Sequence, residues 1–190
     1  MDLLYEAARS WRELCHYTYH ITYGKQKELH RVSLRFEAGE FYHLAGFQYL
    51  SDVVLPFRFS ISNTLNAVLD EKVRECHLMK SGNYAQIRDR LTAIVCLKEA
   101  LETSFHIYLF DAKKLPFYTR LTAQHLIAAE SEGIVFLFTD ADASGTSYSK
   151  SIFPMQEGRD YRKNQKALAI LRVERENGER VCLYAKKELL

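Results

Sequence analysis

The stretch KALAILRVERENGERVCLYAK, residues 166–186, decides between a helical and a β-rich C-terminal half. Its two halves, KALAILRVER and RVCLYAK, carry residues that fit a pleated surface, and Asn177-Gly178 lies between them. A two-residue type I′ turn needs positive φ at both central positions, which Asn-Gly supplies, so the segment reads as a β-hairpin. Working back toward the N-terminus, SIFPM, GIVFLFTD, QHLIAA and FHIYLF extend the strand-rich pattern to about residue 104.

Before that point the period changes. Residues 84–101 place Ile87, Leu91, Ile94, Val95 and Leu101 at helical spacing, with Arg88, Asp89, Lys98 and Glu99 on the other side; the expected helix runs from about Asn83 to Glu102. Ser62 or Asn63 is placed to cap a helix carrying Leu65, Val68, Leu69, Val73 and Cys76. Residues 40–50, EFYHLAGFQYL, read as a short helix whose Gly46 permits close backbone approach. YTYHITYGKQKELHRVSLRFE reads as two strands around Gly24-Lys25-Gln26-Lys27, and Leu3, Leu4, Ala7, Ala8, Trp11 and Leu14 give an amphipathic opening helix. Helices first and an antiparallel sheet afterwards make an α+β protein: N-terminal helices and a β-hairpin packed on a C-terminal antiparallel sheet, one domain over residues 1–190.

Composition is that of an ordinary globular chain, 47% hydrophobic and 26% charged, with a net charge of only +2. The charge is unevenly spread, ten Lys or Arg against five Asp or Glu from Lys150 to Lys187, which places a basic face opposite an anionic partner or simply wets a sheet surface. Cys15, Cys76, Cys96 and Cys182 are scattered without a C-x-x-C pair and read as buried thiols in a reducing compartment. The opening MDLLYEAARSWREL lacks the apolar core of a signal peptide, and no segment reaches membrane-spanning length; the expectation is a cytoplasmic protein with no membrane partner.

Familiar catalytic motifs are missing: no phosphate-binding glycine loop, no H-E-x-x-H and no G-x-S-x-G. Cys15-His16 with His20, and Cys76-His77, lack a second ligand pair, so no metal or other cofactor is expected. Asp140 and Asp142 in TDADASG read as turn formers. The densest polar stretch is SGTSYSKSIFPMQEGRDYRKNQKALAIL, residues 144–171, with hydroxyls, guanidiniums, a phenol and an amide of the kinds that bind phosphate oxygens and stack on bases.

LHRVSLRFEAGEFYHLAGFQYL, with a strand leading into F-x-H-L-x-G, then IRDRLTAIVCL, then S-x-F with D-Y-x-x-x-Q in SIFPMQEGRDYRKNQ, resembles the fourth phage-associated type of the barnase/EndoU/colicin/RelE-like nuclease superfamily. The resemblance spans approximately residues 15–175. It implies a metal-independent endoribonuclease fold, helices packed on a four-stranded antiparallel sheet, acting as a phage or mobile-element effector or toxin. Carried over by position, it implies His43, Arg90, Ser151, Tyr161 and Gln165 as catalytic residues; Arg159, Lys150, Arg162 and Lys163 of the polar stretch are the groups expected to bind substrate. Cleavage without a metal needs a base for the 2′-hydroxyl, cations for the phosphate and an acid for the departing 5′-oxygen. His43 would serve as base or acid, Arg90 or Arg159 would hold the phosphate, Tyr161 would donate a proton or stack, and Ser151 and Gln165 would orient the substrate.

The chain is longer and more nearly neutral than a small RNase toxin, which weakens broad RNA affinity. Each residue also has a plain reading: His43 as a core histidine, Arg90 paired with Glu71, Asp89 or Glu99, Tyr161 as core filling, Ser151 and Gln165 satisfying backbone at a strand end. Partners on the nuclease reading are RNA, tRNA or mRNA, and an antitoxin. The alternative is an inactive nuclease-like protein that binds RNA or blocks a host anti-phage defence protein; an exposed apolar patch of Phe57, Phe59, Phe117 and Tyr118 would favour it. A structural component of a phage particle is a third class. The catalytic reading requires that His43 meet Tyr161, Gln165 and the guanidiniums in one pocket.

Overall fold

The computed structural model describes residues 2–25, 27–56, 58, 60–130, 133–142 and 144–186. The order is α1 (Leu3–Leu14), β1 (Thr18–Lys25), β2 (Glu28–Arg35), α2 (Phe41–Leu44), α3 (Thr64–Leu69), α4 (Glu75–Leu78), α5 (Tyr84–Thr103), then β3 (Phe105–Leu109), β4 (His125–Glu130), β5 (Ile134–Ala141), β6 (Thr146–Pro154), β7 (Lys166–Asn177) and β8 (Glu179–Ala185). The protein is α+β, but the sheet departs from expectation. The N-terminal hairpin does not pack on a separate sheet; it completes one.

The strands follow the order β1-β2-β6-β5-β4-β3-β7, and β7 pairs back onto β1, closing a seven-stranded barrel from which β8 continues the sheet. β7 makes this possible by its length. Residues 166–168 hold β3, residues 172–177 hold β8, and Ala169 to Glu176 align antiparallel with β1. Closure pairs each strand of the ring on both sides and leaves β8, whose partner is β7, as the outer strand. Every pairing in the ring is antiparallel except β2 with β6, a parallel contact of two residue pairs, Ser33 with Thr146 and Leu34 with Ser147.

The turn between β7 and β8 also differs from the type I′ expectation. Only Gly178 has positive φ, at 72°, and Asn177 pairs directly with Glu179. The predicted helix through Cys76 is two short ones, interrupted at Glu71 (φ 54°), and α2 stops at Gly46, whose φ of 89° no helix tolerates. Cys76 and Cys182 are exposed and Cys15 and Cys96 half-buried, so the buried-thiol expectation fails for two of them.

Two cores explain why FHIYLF, QHLIAA and GIVFLFTD are apolar without clean alternation. Ile107, Ile127, Leu137 and Ile152 point into a main core shared with Leu4, Trp11 and Leu14 of α1 and with Ile87, Leu91, Ile94 and Leu97 of α5. Leu126, Ala128, Phe136 and Phe138, on the opposite face of β4 and β5, form a second core under Phe110, Leu115 and Tyr161. A strand buried on both faces needs no polar alternation. Trp11 is fully buried, meets Phe36 edge-on at 5.3 Å between centroids, and satisfies its indole N–H on the Glu37 carbonyl at 3.0 Å.

Candidate nucleotide-binding cavity

A cavity of about 300 Å³ lies where the first half of α5, the end of β6 and the loops around residues 119–121 and 156–161 meet. Four of the residues singled out in the sequence line it: Arg90, Ser151, Arg159 and Tyr161. Tyr49, Phe153 and Arg120 line it too.

Arg90 occupies a core position of α5. It follows Ile87 by three residues and precedes Ile94 by four, so the helical repeat turns its stem inward with theirs. It is 7% exposed, yet no carboxylate lies within ion-pair distance among the described residues; the surface pairing with Glu71, Asp89 or Glu99 does not form. Its Nη1 donates to the Leu44 carbonyl and its Nη2 to the Tyr49 hydroxyl, both at a long 3.4 Å, and Nε has no partner. The guanidinium stands 5.3 Å from the Tyr49 ring centroid and 5.8 Å from that of Phe153, so cation–π attraction replaces part of its lost hydration. Burial pulls its pKa down from the usual arginine value. A buried cation with five donors and no anion is costly unless something anionic completes it.

The motif F-x-H-L-x-G builds this arrangement through its backbone. The Leu44 carbonyl receives Arg90, and Gly46 leaves room for it: a Cβ there would lie 3.2 Å from Arg90 Cδ and 3.3 Å from Ile87 and Tyr49 atoms. The imidazole is elsewhere. His43 is exposed on α2, edge-on to Tyr42 at 5.1 Å, with its carbonyl accepting from the Gln48 amide, and it is not among the cavity's lining residues. It is therefore neither the core histidine of the plain reading nor part of the pocket that the catalytic reading required.

Gln165 is also outside. Its Oε1 accepts from the Asp111 N–H at 2.7 Å and its Nε2 donates to the Asp111 and Lys163 carbonyls, clamping one loop to another. Arg162 is committed to Asp160, with Glu130 3.6 Å away; the Asp160 carboxylate raises its pKa. Lys150 pairs with Asp140 at 3.2 Å and donates to Thr122, and Lys163 is exposed away from the lining. By contrast, Arg120 and Arg159 are exposed and have no ion pair among the described residues, leaving their charges open to the cavity. Tyr161 is 5% exposed and wedged among Phe117, Phe136, Phe138 and Phe153 at 5.0–5.6 Å, so it fills the second core and lines the cavity at once. Ser151, 7% exposed, sits opposite Phe138 on β6.

Sequence reasoning missed Tyr49, Arg120 and Phe153. No local signal marks Arg120, whereas Phe153 is the aromatic of the S-x-F element and Tyr49 lies three residues beyond the glycine that brings α5 close. Phe57 and Phe59 of the expected apolar patch lie outside the described residues; Phe117 packs on Tyr161 and Tyr118 is 80% exposed. Asp142 accepts from Ser144 and Thr146 as a turn former does, whereas Asp140 lies within β5 and pairs with Lys150. Among the described residues no cluster of three His, Cys, Asp or Glu side chains is arranged to hold a metal ion, and no helix is long and apolar enough to cross a membrane.

A family model described as phage-Barnase-EndoU-ColicinE5/D-RelE like nuclease 4 covers residues 3–187. No curated protein and no solved structure matches the chain.

Proposed function

Because the chain belongs to this phage-associated nuclease family, we propose that it is a metal-independent endoribonuclease whose scissile phosphate binds at Arg90. The observation that carries the reading is the buried guanidinium without a carboxylate, facing a cavity that Arg120 and Arg159 also line. Attack of the 2′-oxygen on phosphorus, as its proton passes to solvent water, puts additional negative charge on the phosphoryl oxygens; the P–O5′ bond then breaks, leaving a 2′,3′-cyclic phosphate and a 5′-hydroxyl. Fixed guanidiniums in a partly dehydrated site stabilise that charge more than water does. Tyr161 is the group proposed to protonate the departing 5′-oxygen. Ser151 donates to a phosphoryl oxygen, and Tyr49, already bonded to Arg90, steadies the guanidinium. Metal independence belongs to this proposal because guanidiniums meet the phosphate's charge. The biological role that goes with it is a phage or mobile-element effector or toxin, with an antitoxin as protein partner.

The cavity has no imidazole among its lining residues, and that favours one second reading: RNA binding without turnover, serving to recognise RNA or to block a host defence protein. Incubating the purified protein with tRNA and mRNA pools in EDTA separates them. Cyclic-phosphate fragments that vanish in Arg90→Met support cleavage; RNA retained but never cut supports binding alone. Equal binding and cutting by wild type and Arg90→Met would refute both. Loss of cleavage in His43→Ala would return the imidazole to the reaction.

A further inference from the structure

The positive charge of the chain is concentrated on two loops. Residues 110–121 and 155–166 carry seven Lys or Arg against three Asp or Glu, a local +4 in a chain whose total is +2. Arg162 is engaged by Asp160 and Glu130, and Arg120 and Arg159 line the cavity. That leaves Lys113, Lys114, Lys163 and Lys166, all exposed and none in an ion pair among the described residues.

The fold brings these four together. Lys166 opens β7 opposite Leu109, the Gln165 side chain bonds both backbone groups of Asp111, and the Asn164 amide donates to the Lys114 carbonyl at 3.0 Å from a left-handed turn of φ 61°. The two loops are laid side by side and clamped, with two lysines on each. Like charges held on a fixed backbone repel one another, and a polyanion relieves that repulsion.

The lysines also adjoin the cavity. A shallow groove of about 440 Å³ runs along residues 112–119, and Thr119 lines both it and the cavity. Lys113 and Tyr118 line the groove, and Tyr118 is 80% exposed. Cations for a backbone beside an open ring face are the means by which proteins follow a single strand, whose bases are free to unstack. A duplex keeps its bases stacked inside and has no use for the ring.

We propose that Lys113, Lys114, Lys163 and Lys166 form a track for the phosphates of single-stranded RNA leading out of the cavity. The proposal rests on the RNA reading of the cavity and adds the surface that holds the flanking strand. It also gives Lys163, which lies off the cavity lining, an anion to bind.

The test is fluorescence anisotropy of a labelled 2′-O-methyl oligonucleotide of about twelve residues, which has no free 2′-hydroxyl and stays intact, with the full chain in EDTA between about 50 and 200 mM salt. All four lysines are exposed, so the variant with each replaced by alanine is expected to fold, and circular dichroism verifies it. It should bind at least about tenfold more weakly than wild type at the lowest salt, and the slope of log K against log salt should flatten by about 3, four contacts at about 0.7 each. A control with alanine at four exposed cations elsewhere, Arg35, Lys80, Arg88 and Lys186, should stay within about threefold of wild type. A 2′-O-methyl dinucleotide, too short to leave the cavity, should bind wild type and the lysine variant alike.

A lysine variant that keeps the wild-type affinity and slope overturns the track; weak binding by Arg90→Met then leaves the cavity reading standing. A lysine effect beside an Arg90→Met that binds like wild type supports the track and sinks the phosphate site at Arg90. An equal loss in the control variant overturns the track, because net charge alone would suffice. So does a duplex of the same length bound as tightly as the single strand, and so does polyglutamate that displaces the oligonucleotide as well as unlabelled RNA, which would assign the lysines to an acidic protein. If wild type binds neither probe, both readings fall.

Discussion

Replacing Gly46 by alanine tests the link between the F-x-H-L-x-G motif and the buried guanidinium. Gly46 has a φ of 89°, in the left-handed region, where an alanine costs about 1–2 kcal/mol. The new Cβ would also stand 3.2–3.3 Å from Arg90 Cδ, Ile87 Cγ1 and the Tyr49 ring, so all three must give by a few tenths of an ångström. Two of the three are held by the core and by α5, which brings the expected loss to about 2–3 kcal/mol. With a urea slope of about 2 kcal/mol/M, the unfolding midpoint should fall by roughly 1 M. Gly39→Ala is the control: a Cβ there meets nothing within 4 Å, and its midpoint should stay near that of wild type. Displacing Arg90 should weaken RNA retention by still-folded Gly46→Ala as well. A Gly46→Ala midpoint matching that of Gly39→Ala would show that the close approach of α5 to this turn is not as described.

Burial pushes the Glu40 carboxyl up to about 7, although the N–H groups of Glu37 and Ser149 donate to it and pull the other way. The folded protein therefore keeps a proton that the unfolded chain releases near 4.5, so this contribution is full below about pH 4.5 and is lost as pH rises through 7. At about 1.4 kcal/mol per pH unit the ceiling is about 3 kcal/mol, and urea unfolding at pH 5 and pH 8 should show a decline that Glu40→Gln flattens; parallel declines in both proteins would count against it. Gln165→Ala should leave the Asp111 N–H without its partner, while the Asp111 carbonyl keeps the Lys114 N–H, cost about 1–2 kcal/mol, and speed hydrogen exchange at Asp111 specifically. Unchanged exchange there would mean the two loops are held by other contacts.

Element types were readable where the local pattern was strong: Leu3 to Leu14, the stripe of α5 and the segment around Gly178 all carry their own periodicity or turn chemistry. Barrel closure was not, because it joins residues 18–24 to 169–176, and an alternating pattern says which face is buried without naming the neighbour. The apolar runs of β4 and β5 hid two faces under one composition. Within the site, Arg90 was singled out by the resemblance, while its helix position was read as a surface ion pair; the spacing to Ile87 and Ile94 turns it inward instead. His43 and Gln165 were singled out for side-chain chemistry. At the turn after α2 it is the Leu44 carbonyl and the open space at Gly46 that serve the cavity, while Gln165 ties two loops together.

The parallel contact between β2 and β6 has two residue pairs, where β1 with β2 has eight and β4 with β5 has six. A hoop so unevenly fastened has a clasp, and opening it there breaks the fewest ladder bonds. Glu40 bridges toward the same strand through the Ser149 N–H. The chain that leaves β2 at this clasp carries Phe41, Leu44 and Phe47 into the main core, and with them the turn that steadies the guanidinium, so the weakest seam of the hoop and the buried cation share one anchorage.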